Sequence, residues 1–324
     1  MPTSLYSFDT EYCADSLEFY PFGETRRFLV GTYQLLQPSN AAQDTELSSK
    51  DSQRVGRIYV CDAVNGDEGM QIIEKQRIET SAIFDIKWAY NLVSSKELAG
   101  VACADGSLAV YTTGSQSDTR FLTPFAATQP QSSMCCSLDW SNRIDSSDPR
   151  VVTSYSDGSL QVFGVGESEL QVIDQGQGHE LEAWIGAFDY WNTSMVYSGG
   201  DDAMFKGWDL RVGFQAPIFN SQRHQAGVCS IQSNFHQQNI LATGSYDENV
   251  FIWDTRNMRM PMKELHVGGG VWRLKWHPKM ASRLLVGAMY NGFHILDTSD
   301  SIQLCTSFMG HESIAYGADW CQAP

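Results

Sequence analysis

A histidine, a hydroxyl and a carboxylate recur in this chain at spacings that invite acyl-transfer chemistry: His179, Ser198 and Asp202, followed by Trp208. A histidine held by an acid and set beside a hydroxyl is the arrangement that activates a nucleophile. The set is written a second time as His224, Thr243, Asp247 and Trp253, each member 45 residues after its counterpart. A catalytic centre needs one copy in one place, so equal repetition favours a structural relay. If the second copy is chemical, His224 with the adjacent Arg223 supplies the candidate base and oxyanion partner. No G-x-S-x-G nucleophile elbow occurs anywhere in the chain. The seven histidines include no H-x-x-x-H pair and no Cys/His set at zinc spacing, so neither a metal nor a cofactor is expected. Gly268-Gly269-Gly270 is followed by no G-K-[ST] and reads as a tight passage between elements rather than a phosphate loop.

The elements that must position these residues follow from the repeat itself. A period of about 40–45 residues closing on Trp-Asp marks a β-propeller blade of the WD40 type, a unit that buries its faces only by stacking on neighbours. Seven short apolar segments read as innermost strands: 16–21, 81–88, 135–140, 184–191, 228–235, 271–277 and 314–320. Turn signals recur at Asp105-Gly106, Asp157-Gly158, Asp202, Asp247-Glu248 and Asn291-Gly292, at spacings of 52, 45, 45 and 44 residues. The expectation is an all-β, seven-bladed WD40 β-propeller forming one domain over 1–324. The polar stretch at about 37–55 is expected to be a flexible loop between strands at 28–35 and 56–61, and 112–133 to be an outer-strand connection. Only four residues follow Trp320. The seventh blade is therefore expected to be incomplete, with 5–10 as the segment that closes it and the chain as a shortened form of a longer one.

Composition narrows the partners. The net charge of −16 argues against a phosphate-backbone surface, so no nucleic acid is expected. No run of 18 apolar residues suits a membrane span, and the first residues carry neither a basic nor an apolar signal region. Eight cysteines without a C-x-x-C pair read as reduced thiols of a cytoplasmic protein, and a monomer is expected.

Residues predicted at one rim of the ring are Thr80, Glu182, Trp184, Asp201, Arg223, Tyr246, Glu248, Trp272 and Arg273. Aromatic faces beside carboxylates suit a cationic ligand, which makes Glu182, Trp184, Asp201, Tyr246, Glu248 and Trp272 the candidate substrate-binding set. Two W-D-x-R motifs, Trp208–Arg211 and Trp253–Arg256, resemble those of cullin-4 ubiquitin-ligase substrate receptors. On that alternative the chain is a non-enzymatic adaptor that meets a ligase adaptor through Arg211 and Arg256.

Longer blocks carry a more specific resemblance. Glu182–Trp191 (EAWIGAFDYW), Tyr197–Asp202 (YSGGDD), Arg223–Ser233 (RHQAGVCSIQS), Leu241–Glu248 (LATGSYDE), Gly269–Pro278 (GGVWRLKWHP), Thr80–Trp88 and Tyr316–Trp320 (YGADW) are similar to the WD-repeat diphthine methyl ester esterase family of diphthamide biosynthesis, also called diphthine methyltransferase. The resemblance runs from about Asp9 to Trp320. It implies a cytoplasmic carboxylic ester hydrolase that removes the methyl ester from methylated diphthine on translation elongation factor 2, releasing methanol before amidation. Diphthine carries a trimethylammonium group, for which Trp184, Tyr246 and Trp272 with Asp201 or Glu248 form the expected cage. The resemblance supplies no nucleophile. It also implies a further hairpin after Y-G-A-D-W that this sequence lacks.

Overall fold

The structure is a computed structural model that describes residues 2–23, 25–36, 53–67, 69–114 and 120–322. Among the described residues six four-stranded antiparallel sheets follow one another, each with its strands in chain order. Blades 1 to 6 span residues 13–81, 83–127, 135–177, 183–221, 228–266 and 273–308. Their first strands, Cys13–Phe19, Ile83–Trp88, Cys135–Trp140, Ala183–Phe188, Val228–Ser233 and Arg273–Trp276, are innermost, and all but Cys13–Phe19 are almost wholly buried. Fourth strands such as Gly69–Ser81 and Leu170–Gln177 expose alternate residues, the pattern of a strand at the outer edge. First strands of successive blades adjoin, which bends the row of sheets into a ring. Apolar clusters sit between neighbouring blades, as where Leu138 and Trp140 of blade 3 meet Leu98 and Leu108 of blade 2. Burying each such side chain contributes about 1.5–3 kcal/mol, so the blades hold one another rather than themselves.

A second device ties blade to blade. A polar side chain on one first strand accepts a backbone N–H from the next: Ser16 from Ile86 (3.0 Å), Ser137 from Gly186 (3.0 Å), Asp139 from Phe188 (2.9 Å) and Ser230 from Leu274 (3.0 Å). Indole N–H groups return the bond to carbonyls of the preceding blade, Trp140 to Lys87 (2.9 Å) and Trp276 to Gln232 (3.1 Å). Buried backbone groups thus keep partners where sheet pairing ends.

The expected seven blades are corrected to six. Among the described residues the seventh inner segment, 314–320, forms no strand and makes a single bridge, Ala315 to Met289. A sheet needs a second strand to pair with, and none is present beside this segment among the described residues. The segment still occupies the seventh inner position. Trp320 donates its indole N–H to the Lys275 carbonyl of blade 6 (2.9 Å), and Asp319 accepts the Phe19 N–H of blade 1 (2.8 Å). Residues 5–10 do not close the ring as expected. They lie against blade 1, where Phe8 packs edge-on to Tyr59 at 5.9 Å and the Tyr59 hydroxyl donates to the Thr10 carbonyl (2.6 Å).

The expected outer strand within 112–133 is Leu122–Ala127. Most of the expected loop, 37–52, lies outside the described residues. The triglycine is the tight passage expected: a Cβ on Gly269 would stand 2.2 Å from the Ala288 carbonyl oxygen of blade 6. All eight cysteines are unbridged.

Candidate active site

The two His–Asp sets are closed relays. His179 Nδ1 meets Asp202 Oδ1 at 2.9 Å and its Nε2 meets Ser198 Oγ at 2.8 Å, while the Trp208 indole N–H donates to the same Oγ at 2.8 Å. In the copy, His224 meets Asp247 at 3.0 Å and Thr243 Oγ1 at 2.8 Å, and Trp253 donates to Thr243 at 2.9 Å. Every ring nitrogen is engaged, and each hydroxyl gives its proton to a histidine while accepting from an indole. Both imidazoles are about 1% exposed, and burial holds the His179 pKa below its ordinary value. His224 further stacks on Phe251 at 4.1 Å. Neither ring has a nitrogen left for a substrate. Arg223 does not join His224: it is exposed, donates toward the Arg259 carbonyl at 3.3 Å, and lines a shallow outer groove with Arg256 and Arg259. The expected pairing of base and oxyanion donor is therefore not assembled.

The mouth of the ring is built by an irregularity repeated in the first strands. In blades 1 to 5 the pairing of the first strand shifts register by one residue, and the bulged residues are Asp15, Phe84, Cys136, Trp184 and Cys229. A bulge turns its side chain out of the alternating pattern, here toward the mouth. Each stands four residues before the strand's last inner residue, Phe19, Trp88, Trp140, Phe188 or Ser233. Trp272 and Tyr316 hold the same position before Trp276 and Trp320.

Three of these converge with a turn residue. Trp184 lies 6.4 Å from Tyr246 and 5.9 Å from Trp272, Tyr246 lies 6.1 Å from Trp272, and Trp272 lies 5.0 Å from Tyr316. Blades 4, 5 and 6 and the closing segment thus share one aromatic cluster. Its rings are all partly exposed. Asp201 is exposed beside it and accepts the Trp184 indole N–H at 3.0 Å.

Of the expected cation set, Trp184, Asp201, Tyr246 and Trp272 come together. Glu182 stands at the edge, near enough to Cys136 to help raise its thiol pKa. Glu248 points elsewhere and pairs with His266 on the outer face at 3.2 Å. Thr80 bonds its own neighbour's carbonyl, Ser81, at 2.8 Å on the outer strand of blade 1. Arg211 and Arg256 lie away from the mouth, their side chains 74% and 71% exposed, each forked onto the aspartate two residues before it.

Beneath the aromatic cluster lie polar groups of which the sequence reading placed Trp272 and Arg273 at the rim but did not name Asp15 or Asp85. Asp15 is 6% exposed, and burial pushes its carboxyl up to about 7 against the opposing charge of Arg273. Its Oδ1 has no hydrogen-bond partner, nor have the Trp272 Nε1 and Arg273 Nε donors. Arg273 is held across the channel by Asp85, Nη1 to Oδ1 at 2.8 Å. The two thiols at the mouth are poor nucleophiles, because burial pushes Cys136 up to about 12 and Cys229 well above the ordinary thiol value. The signal that would have found Asp15 and Tyr316 is positional: both sit four residues before a blade's inner aromatic, where Trp184 and Trp272 also sit. Among the described residues no group of three or more His, Cys, Asp or Glu side chains is arranged to hold a metal ion.

No protein-family profile matches the chain. In overall shape it is similar to a chain of a solved mitotic checkpoint complex, with a TM-score of 0.65 over 98% of this chain and 89% of that one. At 18% identity this likeness supports the propeller fold alone. Sequence likeness is closer elsewhere. The chain is 41% identical over 331 residues to the diphthine methyltransferase of Mus musculus, covering 98% of this chain and 69% of the mouse protein. It is 32% identical over 345 residues to a diphthine methyltransferase homolog of Dictyostelium discoideum, covering 96% of this chain and 90% of that one. With that similarity spread over nearly all of its length, the chain belongs to the diphthine methyltransferase family.

Proposed function

We propose that this chain hydrolyses the methyl ester of methylated diphthine on elongation factor 2, releasing methanol. The observation that carries the reading is the aromatic cluster of Trp184, Tyr246 and Trp272 with Asp201 at the ring mouth. The electron-rich faces of these rings attract a quaternary ammonium, which donates no hydrogen bond and suits no ordinary polar pocket. In the modified histidine the quaternary nitrogen and the ester carbonyl are attached to one carbon. A site that seats the cation therefore brings the ester within a few ångströms of the same mouth. The neighbouring positive charge also draws electrons from the carbonyl, so attack by water needs a placed base rather than a covalent nucleophile.

Intact-mass measurement of elongation factor 2 carrying methylated diphthine, after incubation with the purified chain, tests the reaction. A loss of about 14 Da, the mass of CH2, without added cofactor is the expected result of ester hydrolysis. No mass change with a soluble, cooperatively melting preparation sinks the esterase. In the double variant Tyr246→Ala/Trp272→Ala, kcat/KM falls roughly 30-fold, the size of a cation–π contact of about 2 kcal/mol. Unchanged kcat/KM would remove the cluster from the site.

A further inference from the structure

We propose that Asp15 is the general base of this site, drawing a proton from the water that attacks the ester, with the unpartnered Trp272 and Arg273 N–H donors facing the oxygen that becomes negative. The proposal rests on the esterase reading and names the group that performs it.

Several independent observations converge on Asp15. Among the seven side chains at the bulge position it is the only carboxylate; the others are aromatic rings or thiols held in their neutral form. The β-bulge takes it out of the alternating order of its strand, the device by which strands re-aim a functional side chain. It is more than nine-tenths buried with one oxygen unpartnered, a costly arrangement that no fold requirement explains. Two further donors without a hydrogen bond within normal distance lie in the same cluster: Trp272 Nε1, whose N–H is turned toward the Asp15 carboxyl, and Arg273 Nε. A carboxylate acceptor beside two N–H donors is the complement that ester hydrolysis asks for. Trp272 joins this group to the aromatic cluster, since its ring is one wall of that cluster. Both ends of an α-quaternary amino ester are thereby served by one patch.

The step balances. Water attacks the carbonyl carbon and gives one proton to the Asp15 carboxylate, and the carbonyl oxygen takes up the electron pair. The tetrahedral adduct collapses, the C–OCH3 bond breaks, and the Asp15 proton passes to the departing methoxide as methanol. Asp15 is again a carboxylate, and the acid left on the substrate ionises to solvent. The groups facing Asp15 are Asp85 from blade 2, Tyr246 from blade 5, Trp272 and Arg273 from blade 6, and Tyr316 from the closing segment. Burial chiefly raises its pKa, with Asp85 adding to the rise, and Arg273 and the Trp272 N–H lower it, leaving it at about 7, near the optimum for a base working at neutral pH.

The test is kcat and KM for methyl-ester loss from modified elongation factor 2, measured from pH 5.5 to 9 with the wild-type chain, Asp15→Asn and Asp15→Glu. Asn should lower kcat at least about 100-fold with KM little changed, and abolish the rise of rate through pH 7, while Glu restores part of the rate. A wild-type chain that turns over, with Asp15→Asn within about threefold of it, overturns the role of Asp15 and leaves the esterase standing. A rise in KM alone likewise overturns it, reducing Asp15 to a positioning group. A wild-type chain with no turnover overturns the esterase reading, and the base with it. Should the Asn chain not fold, the Glu chain decides: a displaced acidic limb of the rate profile supports the proposal, and an undisplaced one overturns it.

Discussion

Asp201 and Asp202 are neighbours in sequence, yet one serves the aromatic mouth and the other the relay to His179. Both regions bury an acid near a nitrogen donor, and both hold the residue types of a hydrolytic centre. They differ in spare valence. In the relay every nitrogen and hydroxyl is taken, so the network links turn to strand and offers nothing outward. At the mouth Asp15, Trp272 and Arg273 keep unpartnered polar atoms. A saturated polar network specifies structure, whereas an unsaturated buried one keeps capacity for a reacting molecule. Residue type alone does not separate the two.

The contrast can be broken most forcefully at the relay. Replacing His179 with Ala strands Ser198, Asp202 and the Trp208 N–H, and should cost about 3 kcal/mol of stability, read as a lower urea midpoint. Activity per folded molecule should be unchanged; lost turnover at full stability would make the relay chemical and erase the contrast.

A smaller effect comes from pH, where the two regions should respond with opposite sign. His224 and two backbone N–H groups hold Asp247 at about 2 despite burial, so its stabilising share is complete above the ordinary carboxylate range and fades as pH falls toward 2. Asp15 is held at about 7, so the share it contributes is complete below about pH 4 and is lost as pH rises to 7. Melting curves should therefore show Asp247→Asn harmful at pH 8 and nearly neutral near pH 2. Asp15→Asn should be neutral at pH 4 and a few degrees more stable than wild type at pH 8. Parallel behaviour of the two variants would remove the electrostatic distinction.

The smallest effect is expected at Glu248, whose φ of 68° lies in the left-handed region. Gly at this position should raise stability by about 1 kcal/mol, since the exposed His266 pair it forfeits is worth little. KM should not move; a raised KM would return Glu248 to the cation site.

Much of this arrangement was legible in the sequence. The 45-residue repeat marked the blades, and the duplicated His, hydroxyl, Asp and Trp marked the relays as architecture. Trp184, Tyr246 and Trp272 were placed at one rim because the loops entering the inner strands and the loops holding the Asp turns share that face. Asp15 was legible only through its place four residues before Phe19, a weak signal taken alone. Its strand begins the chain's first blade, where no histidine or Trp-Asp signal sets the register, and a bulge reverses the face that alternation assigns. The sixfold count was hidden for a different reason. Residues 314–320 have the composition of an inner strand and make its contacts to both neighbours, but strand formation is a property of pairs. Glu248 was misplaced because a left-handed turn residue swings its side chain to the outer wall, a direction that spacing does not encode.

The bond from the Phe19 N–H to Asp319 spans 300 residues. Within a blade, partners meet through short hairpins, and blade-to-blade bonds bridge between 44 and 70 residues. Joining ends separated by a 300-residue loop carries a chain entropy cost of about 5 kcal/mol, and little of it is recovered until all six blades stand in order. Closing this seam therefore carries a larger loop cost than any bond between successive blades. Because Tyr316 belongs to that seam and touches Trp272, the integrity of the mouth reports on the completion of the whole circuit.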